Sequence, residues 1–350
     1  MYDKIHHKAF GTIVSNAFYL TILLLTITSC QHSNEPIRLT GEAQGTFYAI
    51  TYYDARQRNL QPQIDSLLDD FDLTASLWVE NSLLRRVNNN TTDTITECFA
   101  DLLQKSLYIS QYTQNCFDCR VGRLVQAWGF SFKQREELSQ STLDSLIHFA
   151  NGNIGIDTTD SGVLLLHKQY PETELDFNAI AQGYSVDMIA HMFDSLGIES
   201  YLINVGGEVI AKGTKSAGSA WSVGIEKPAD TPYSSQEVEV AIQLNNMSVV
   251  TSGNYRKYYE KDGVRYSHTI NPATGRPVSH TLLSASVVSR KSWYADAMAT
   301  AFMVMGKDKA LQFIKEHPED PDIQAAYFIY DENGEYKTYA TQNLKELINQ

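Results

Sequence analysis

The chain has little positive charge. Its 350 residues hold 28 Lys and Arg against 41 Asp and Glu, a formal net charge of −13. Lys4, Lys8 and Asp3 give the first thirty residues a net +1, so the rest carries −14. That deficit excludes the basic footprint that non-specific nucleic-acid binding requires. It also sets a condition on any phosphate ligand, which needs a metal ion, a helix N-terminus or local basic groups to offset repulsion. Cysteine is scarce too, at four residues. Cys116-Phe-Asp-Cys119 has the C-x-x-C spacing of a redox pair or half a metal site, but no second pair and no thioredoxin-like pattern accompanies it. A structural or incidental pair is the simpler reading. No internal repeat and no low-complexity linker divides the chain.

The N-terminus reads as a targeting segment. Lys4 and Lys8 precede an apolar run from Ala17 to Ile27, which falls short of the ~20 apolar residues of a membrane span. Ile27-Thr28-Ser29-Cys30 resembles a lipoprotein processing box. Cleavage before Cys30 and lipid on its sulfur would give an exported protein anchored to a membrane, at the periplasmic or outer face, rather than spanning it. A plain secretory signal with a coincidental cysteine is the alternative. On this reading residues 1–29 are signal, 30–40 a polar tether and 41–350 the folded body.

What is present reads as an ordinary globular body, 43% hydrophobic and 20% charged, long enough for a sizeable core. Phe47 to Tyr53 reads as a strand. Helical spacing joins Ile64, Leu67, Leu68 and Phe71, then Phe99, Leu102, Leu103 and Ser106, then Leu143, Leu146 and Ile147. Val186, Ile189, Ala190 and Phe193 mark another helix, closed by Gly197. Strand-like runs follow at 201–205, 221–225, 238–244, 247–251 and 282–288. Helices are expected at 292–305 and 307–316, with a last hairpin near 325–340 and a terminal helical turn. Strands and helices come in blocks, which predicts an α+β fold with antiparallel sheet flanked by helices.

Two segments of the last third carry the chemistry. TSGNYRKYYEKDGVRYSHTINPATGRP, from Thr251 to Pro277, is dense in turn-forming residues with exposed backbone N–H groups. ADAMATAFMVMG, from Ala295 to Gly306, reads as a helix on which Asp296 and Thr300 project from one face. An oxygen pair of this kind beside polar donors suits a hard cation bound together with a phosphate-bearing ligand. Helix capping by Asp296 and back-bonding of Thr300 to its own helix are the structural alternatives. His268 is the candidate proton-transfer residue, since imidazole titrates close to neutral pH. Gly206-Gly207 and Ser252-Gly253, each after a strand, would let backbone approach a ligand closely, with close packing on a neighbouring strand the equal alternative for the glycine pair.

HTINPATGRP followed by ADAMATA resembles the signature of the ApbE family of flavin transferases. The likeness extends, in the family's order, through QGTFY at 44–48, SLWVENSLLRRVN at 76–88, NCFD and WGF within 115–130, LDFNAIAQGYSVD at 175–187, NVGGEV at 204–209 and WSVGIEKP at 221–228. The resemblance implies an ApbE-like fold and Mg²⁺ held by Asp296, Thr300 and the carbonyl of Ala179. It implies FAD as substrate, contacted by Gln44, Trp78, Cys116, Phe117, Asp118, Asp176, Gln182, Ser252, His268 and Ile270. Four positions depart from the family pattern: Gln44 stands where methionine is often found, Gln182 where a charged side chain is common, Cys116 where a small apolar residue is usual, and Asn271 where Asp is usual. A core position for Trp78 and a turn or cap role for Asp176 are the structural alternatives there.

The implied activity is Mg²⁺-dependent transfer of FMN from FAD to a Thr or Ser hydroxyl of a target flavoprotein, with Asp296 and His268 as the catalytic pair and AMP as leaving group. The partners it implies are flavin-carrying subunits of membrane redox complexes. An FAD pyrophosphatase and a non-enzymatic flavin-binding lipoprotein are the rival readings.

Overall fold

The structure, a computed structural model, describes residues 35–130, 138–215, 218–228, 237–254, 258–261 and 264–348. The expected signal, Cys30 and the first residues of the tether lie outside these. Among the described residues no helix is long and apolar enough to cross a membrane.

Strands β1 (Ile37–Ala43) and β2 (Thr46–Tyr53) form a hairpin. Tyr48, Ile50 and Tyr52 alternate inward and are buried, the period of two of a half-buried strand. The turn residues Gln44 and Gly45 have φ of 56° and 71°, the positive values that match hairpin twist. β1 takes in residues 37–40, which the sequence reading assigned to a polar tether. The folded body therefore starts by Ile37, not at residue 41. Arg38, Thr40 and Glu42 give this edge strand a polar outer half, which disguised it as linker.

Helix α1 (Gln61–Ala75) buries Ile64, Leu68, Phe71 and Ala75, three or four residues apart. Helix α2 (Leu83–Asn88) is capped by Ser82, β3 (Thr94–Ile95) leads to α3 (Glu97–Tyr112), capped by Thr96, and α4 (Gly122–Ala127) precedes α5 (Gln140–Ala150), capped by Ser139. Strands β4 (Ile154–Thr158) and β5 (Leu164–Lys168) join β3 in a small sheet the sequence reading missed. Helix α6 (Ala181–Ser195) ends, as expected, before Gly197, whose φ of 76° closes it.

Strands β6 (Ser200–Val205), β7 (Glu208–Lys212), β8 (Trp221–Glu226), β9 (Val238–Leu244) and β10 (Met247–Gly253) follow. Two short hairpins, β11 (Tyr258–Lys261) with β12 (Val264–Ser267) and β13 (Ile270–Asn271) with β14 (Arg276–Pro277), lead to β15 (Leu282–Ser289). Helices α7 (Ser292–Met305) and α8 (Lys307–Glu316), strands β16 (Ala325–Glu332) and β17 (Glu335–Ala340), and α9 (Gln342–Ile348) complete the chain.

The main sheet has the order β1-β2-β6-β7-β10-β15-β16-β17 and is antiparallel at every pairing, as the α+β expectation required. Alternate residues enter opposite layers. Val250, Val287, Ala326 and Phe328 pack with α7 and α3, while Val249, Val288, Ala325 and Tyr327 pack with β8, β9 and α9. Helices α1 and α6 cover the β1-β2-β6 end. The sheet's middle is thus buried on both faces, and α7 lies against it.

Candidate active site

Helix α7 has no solvent face. Eleven of its residues, Ser292 through Val304, are buried, as its run of Ala, Met and Phe demands. Asp296 interrupts this apolar helix and is only 5% exposed. Its Oδ2 accepts the Gly183 N–H at 2.9 Å; Gly183 lies in the first turn of α6, where amides lack intrahelical partners. Among the described residues its other oxygen has no hydrogen-bond partner. Burial lifts Asp296 well above the usual carboxylate range, the Gly183 hydrogen bond opposes the rise, and the charge of Asp187 adds to it. Asp296 does not cap its own helix, because Asp187 accepts the first α7 amides. Thr300, one turn on, shares a 3.1 Å hydrogen bond with Ser252 Oγ on β10 rather than back-bonding to α7.

Both residues border a cavity of about 740 Å³, within the ~300–1,000 Å³ of pockets that bury whole ligands. Every site residue expected from the sequence lines it: Gln44, Trp78, Cys116, Phe117, Asp118, Asp176, Ala179, Gln182, Ser252, His268, Ile270, Asp296 and Thr300. The topology brings these distant segments together. Two-residue turns set the rim: Gln44 lies in the β1–β2 turn, and Gly206-Gly207, at φ of 61° and 113°, joins β6 to β7. A Cβ on Gly206 would stand 2.8 Å from Thr46 Cγ2 and crowd the Gln182 side chain, and its positive φ favours glycine as well. Gln44 Oε1 accepts the Ser185 hydroxyl at 3.2 Å. Trp78 is 62% exposed, which removes the core alternative; Ser76 Oγ takes the N–H groups of Trp78 and Val79.

Asp176 is 8% exposed. Its N–H donates to Cys119 O at 2.7 Å, and its Oδ1 accepts the Asn178 N–H at 2.8 Å. Burial pushes its carboxyl up to about 6, against that hydrogen bond. Asp118 differs: both oxygens are gripped by Arg120, through Nε at 2.9 Å and Nη2 at 2.7 Å. Its carboxylate anchors the turn, and Arg120 is a residue the sequence reading missed. Cys98, Cys116 and Cys119 are free thiols, and burial pushes the last two upward. They lack thiolate character, in keeping with a structural pair.

His268 sits between β12 and β13, its ring 6.5 Å from that of Phe130. Its neighbours are stapled to β10: Asn254 Oδ1 accepts the hydroxyls of Ser267 at 2.5 Å and Thr269 at 2.8 Å. The following turn is built by Asn271, whose Oδ1 takes Ala273 N–H and whose carbonyl takes Gly275 N–H; Asn thus supplies the turn geometry expected at that position. Trp128 Nε1 donates to Gly275 O at 2.7 Å, clamping the loop onto α4 and α5. The WGF motif was the available signal for Trp128 and Phe130. Residues Ser222 to Glu226 of β8 also line the cavity, within a motif to which no site role had been given.

The chemistry of the lining is lopsided. Among its described residues are five acids, Asp118, Asp176, Glu208, Glu226 and Asp296, and no Lys or Arg. Among the described residues no group of three or more His, Cys, Asp or Glu could enclose a metal ion. A carboxylate, a hydroxyl and a carbonyl, from Asp296, Thr300 and Ala179, fit a hard cation that takes its remaining oxygens from water and a phosphate ligand. They do not fit a closed thiolate or imidazole site.

Residues 44–326 match the model of the ApbE family. A curated relative from Haemophilus influenzae, "FAD:protein FMN transferase", is 32% identical over 338 residues, covering 93% of this chain and 95% of that one. Among solved structures, the apo form of the Pseudomonas stutzeri flavinyl transferase ApbE superposes with a TM-score of 0.78 at 28% identity, covering 90% of this chain and 98% of that one. The flavin transferase ApbE of Vibrio cholerae gives 0.75 at 29% identity, covering 89% and 99%.

Proposed function

This chain belongs to the ApbE family, and from that premise we propose that it moves FMN from FAD to a Thr or Ser hydroxyl of a target protein, with Mg²⁺ as the ion that makes the reaction possible. One observation carries the reading: a cavity roomy enough for a dinucleotide has no described Lys or Arg in its lining and a buried carboxylate facing it. Such a lining repels a pyrophosphate unless a cation comes with it. Asp296, Thr300 and the Ala179 carbonyl would hold Mg²⁺, which offsets phosphate charge and polarises the phosphorus. Trp78 offers a flat, exposed face to the flavin ring, and Asp176 accepts hydrogen bonds from the ligand. His268 takes the proton of the attacking hydroxyl; the new bond joins that oxygen to the FMN phosphorus, and the bond to the departing AMP oxygen breaks.

The reading extends to location. A lipid on Cys30 would hold the enzyme at a membrane beside flavin-carrying redox subunits. Mass spectrometry of a candidate acceptor after incubation with FAD and Mg²⁺ tests the activity: a gain of one FMN is expected, lost on chelation. Rapid release of free FMN and AMP without acceptor, and no acceptor labelling, would instead make the chain an FAD pyrophosphatase.

A further inference from the structure

Asp296 and Thr300 lie on α7, while Ala179 and Gln182 lie at the start of α6. A cation shared between them needs the two helices held in a fixed relation. Two polar rungs join these antiparallel helices. In the first, Gly183 N–H donates to Asp296 Oδ2 at 2.9 Å. In the second, one turn further along α6, Asp187 accepts Ser292 N–H at 3.0 Å through Oδ1 and Trp293 N–H at 2.9 Å through Oδ2. Helix α7 has no other cap: its N-cap residue is Lys291, which makes no side-chain capping bond, and its first turn has no acid. Between the rungs the backbones nearly touch, since a Cβ on Gly183 would fall 2.5 Å from Ser292 O.

Resting on the metal-dependent reading above, we propose that Asp187 is a positioning residue: from α6 it grips the first turn of α7 and so sets where Asp296 stands relative to Ala179. A cap within α7 would satisfy the same amides but would not tie the first turn of α7 to α6. Capping from the neighbouring helix fixes register as well as satisfying amides.

That distinction gives the test. In the full chain mixed with FAD, flavin fluorescence reads the MgCl₂ concentration that half-saturates binding, and a thermal melt reads stability. Asp187→Ala is expected to raise the Mg²⁺ requirement roughly 10- to 100-fold and to lower Tm. Adding Lys291→Ser supplies α7 with a local cap and is expected to recover Tm while leaving the Mg²⁺ requirement high. Asp187→Asn, which keeps an acceptor oxygen, is expected to return both toward wild type. A Mg²⁺ requirement within about twofold of wild type in Asp187→Ala, or restored by Lys291→Ser, would reduce Asp187 to a helix cap and overturn the proposal. Should Asp187→Ala fail to fold alone, the double variant carries the comparison. A wild-type chain whose flavin binding ignores Mg²⁺ would sink the metal-dependent reading itself, a different outcome.

Discussion

Asp54 and Asp296 are buried to nearly the same degree, at 7% and 5% exposure, yet their carboxyl groups are driven in opposite directions. Asp54, after β2, is gripped by the Arg58 side chain at 2.6 and 3.0 Å and by the N–H groups of Arg56 and Arg58. The guanidinium, chiefly through these hydrogen bonds, holds it down at about 2. Asp296 has one backbone N–H, and desolvation wins. Asp176 and Asp187 follow it, each pushed up to about 6 by burial. Similar exposure with opposite outcomes has a physical cause: Asp54 has a guanidinium at its oxygens, whereas Asp296 and Asp176 each have one backbone N–H to set against desolvation. A buried carboxylate with no cation beside it costs folding energy, and Asp296 and Asp176 both border the cavity where a ligand could offset that cost.

Removing the acid at each place should separate the two roles. Asp296→Asn is expected to lower FMN transfer by at least ~10³-fold, about 4 kcal/mol of barrier, with the Tm of the metal-free protein unchanged or higher at pH 8. Acceptor labelling and thermal melts check both halves, and a fully active variant would end the comparison. Asp54→Ala is expected to do the reverse. It loses its hydrogen bonds and should cost on the order of 1–3 kcal/mol in urea unfolding, while transfer by the folded enzyme stays at wild-type rate.

pH sharpens the contrast. The raised pKa values of Asp176 and Asp187 contribute stability that is full below about pH 4 and lost as pH rises through about 6. The lowered pKa of Asp54 contributes stability that is present above about pH 4 and lost as pH falls through about 2. The metal-free Tm should therefore decline from pH 5 to pH 8, and saturating Mg²⁺, which under the proposed reading requires Asp296 ionised, should restore more at pH 8 than at pH 5. Melts at the two pH values decide it; an equal Mg²⁺ effect at both would count against a cation at Asp296. The smallest effect belongs to Trp78→Ala. It should weaken FAD binding about fivefold, on the order of 1 kcal/mol, without changing stability, because the ring is mostly in solvent; flavin fluorescence titration measures it.

The cavity was legible in the sequence where short motifs carry their own geometry. Asn271-Pro272-x-Thr274-Gly275 builds its turn from local hydrogen bonds, and Asp296 and Thr300 share a face because a helix turns every 3.6 residues. Relations between distant segments were hidden. Nothing near Asp187 announces that it caps a helix 105 residues away. β1 escaped because an edge strand with a polar outer half looks like linker. The pairing of β3 with β5 escaped because the partners Ile95 and Leu164 lie about seventy residues apart.

A ligand chamber whose described walls bear no Lys or Arg offers a nucleotide's charged tail backbone amides and hydroxyls but no fixed counter-charge. Under the proposed reading, dinucleotide and divalent ion are then admitted as one complex, and spent AMP has little to detain it once that ion leaves. The enzyme's throughput would rise and fall with the free divalent-ion level around it, a dependence written into the chamber's wall chemistry.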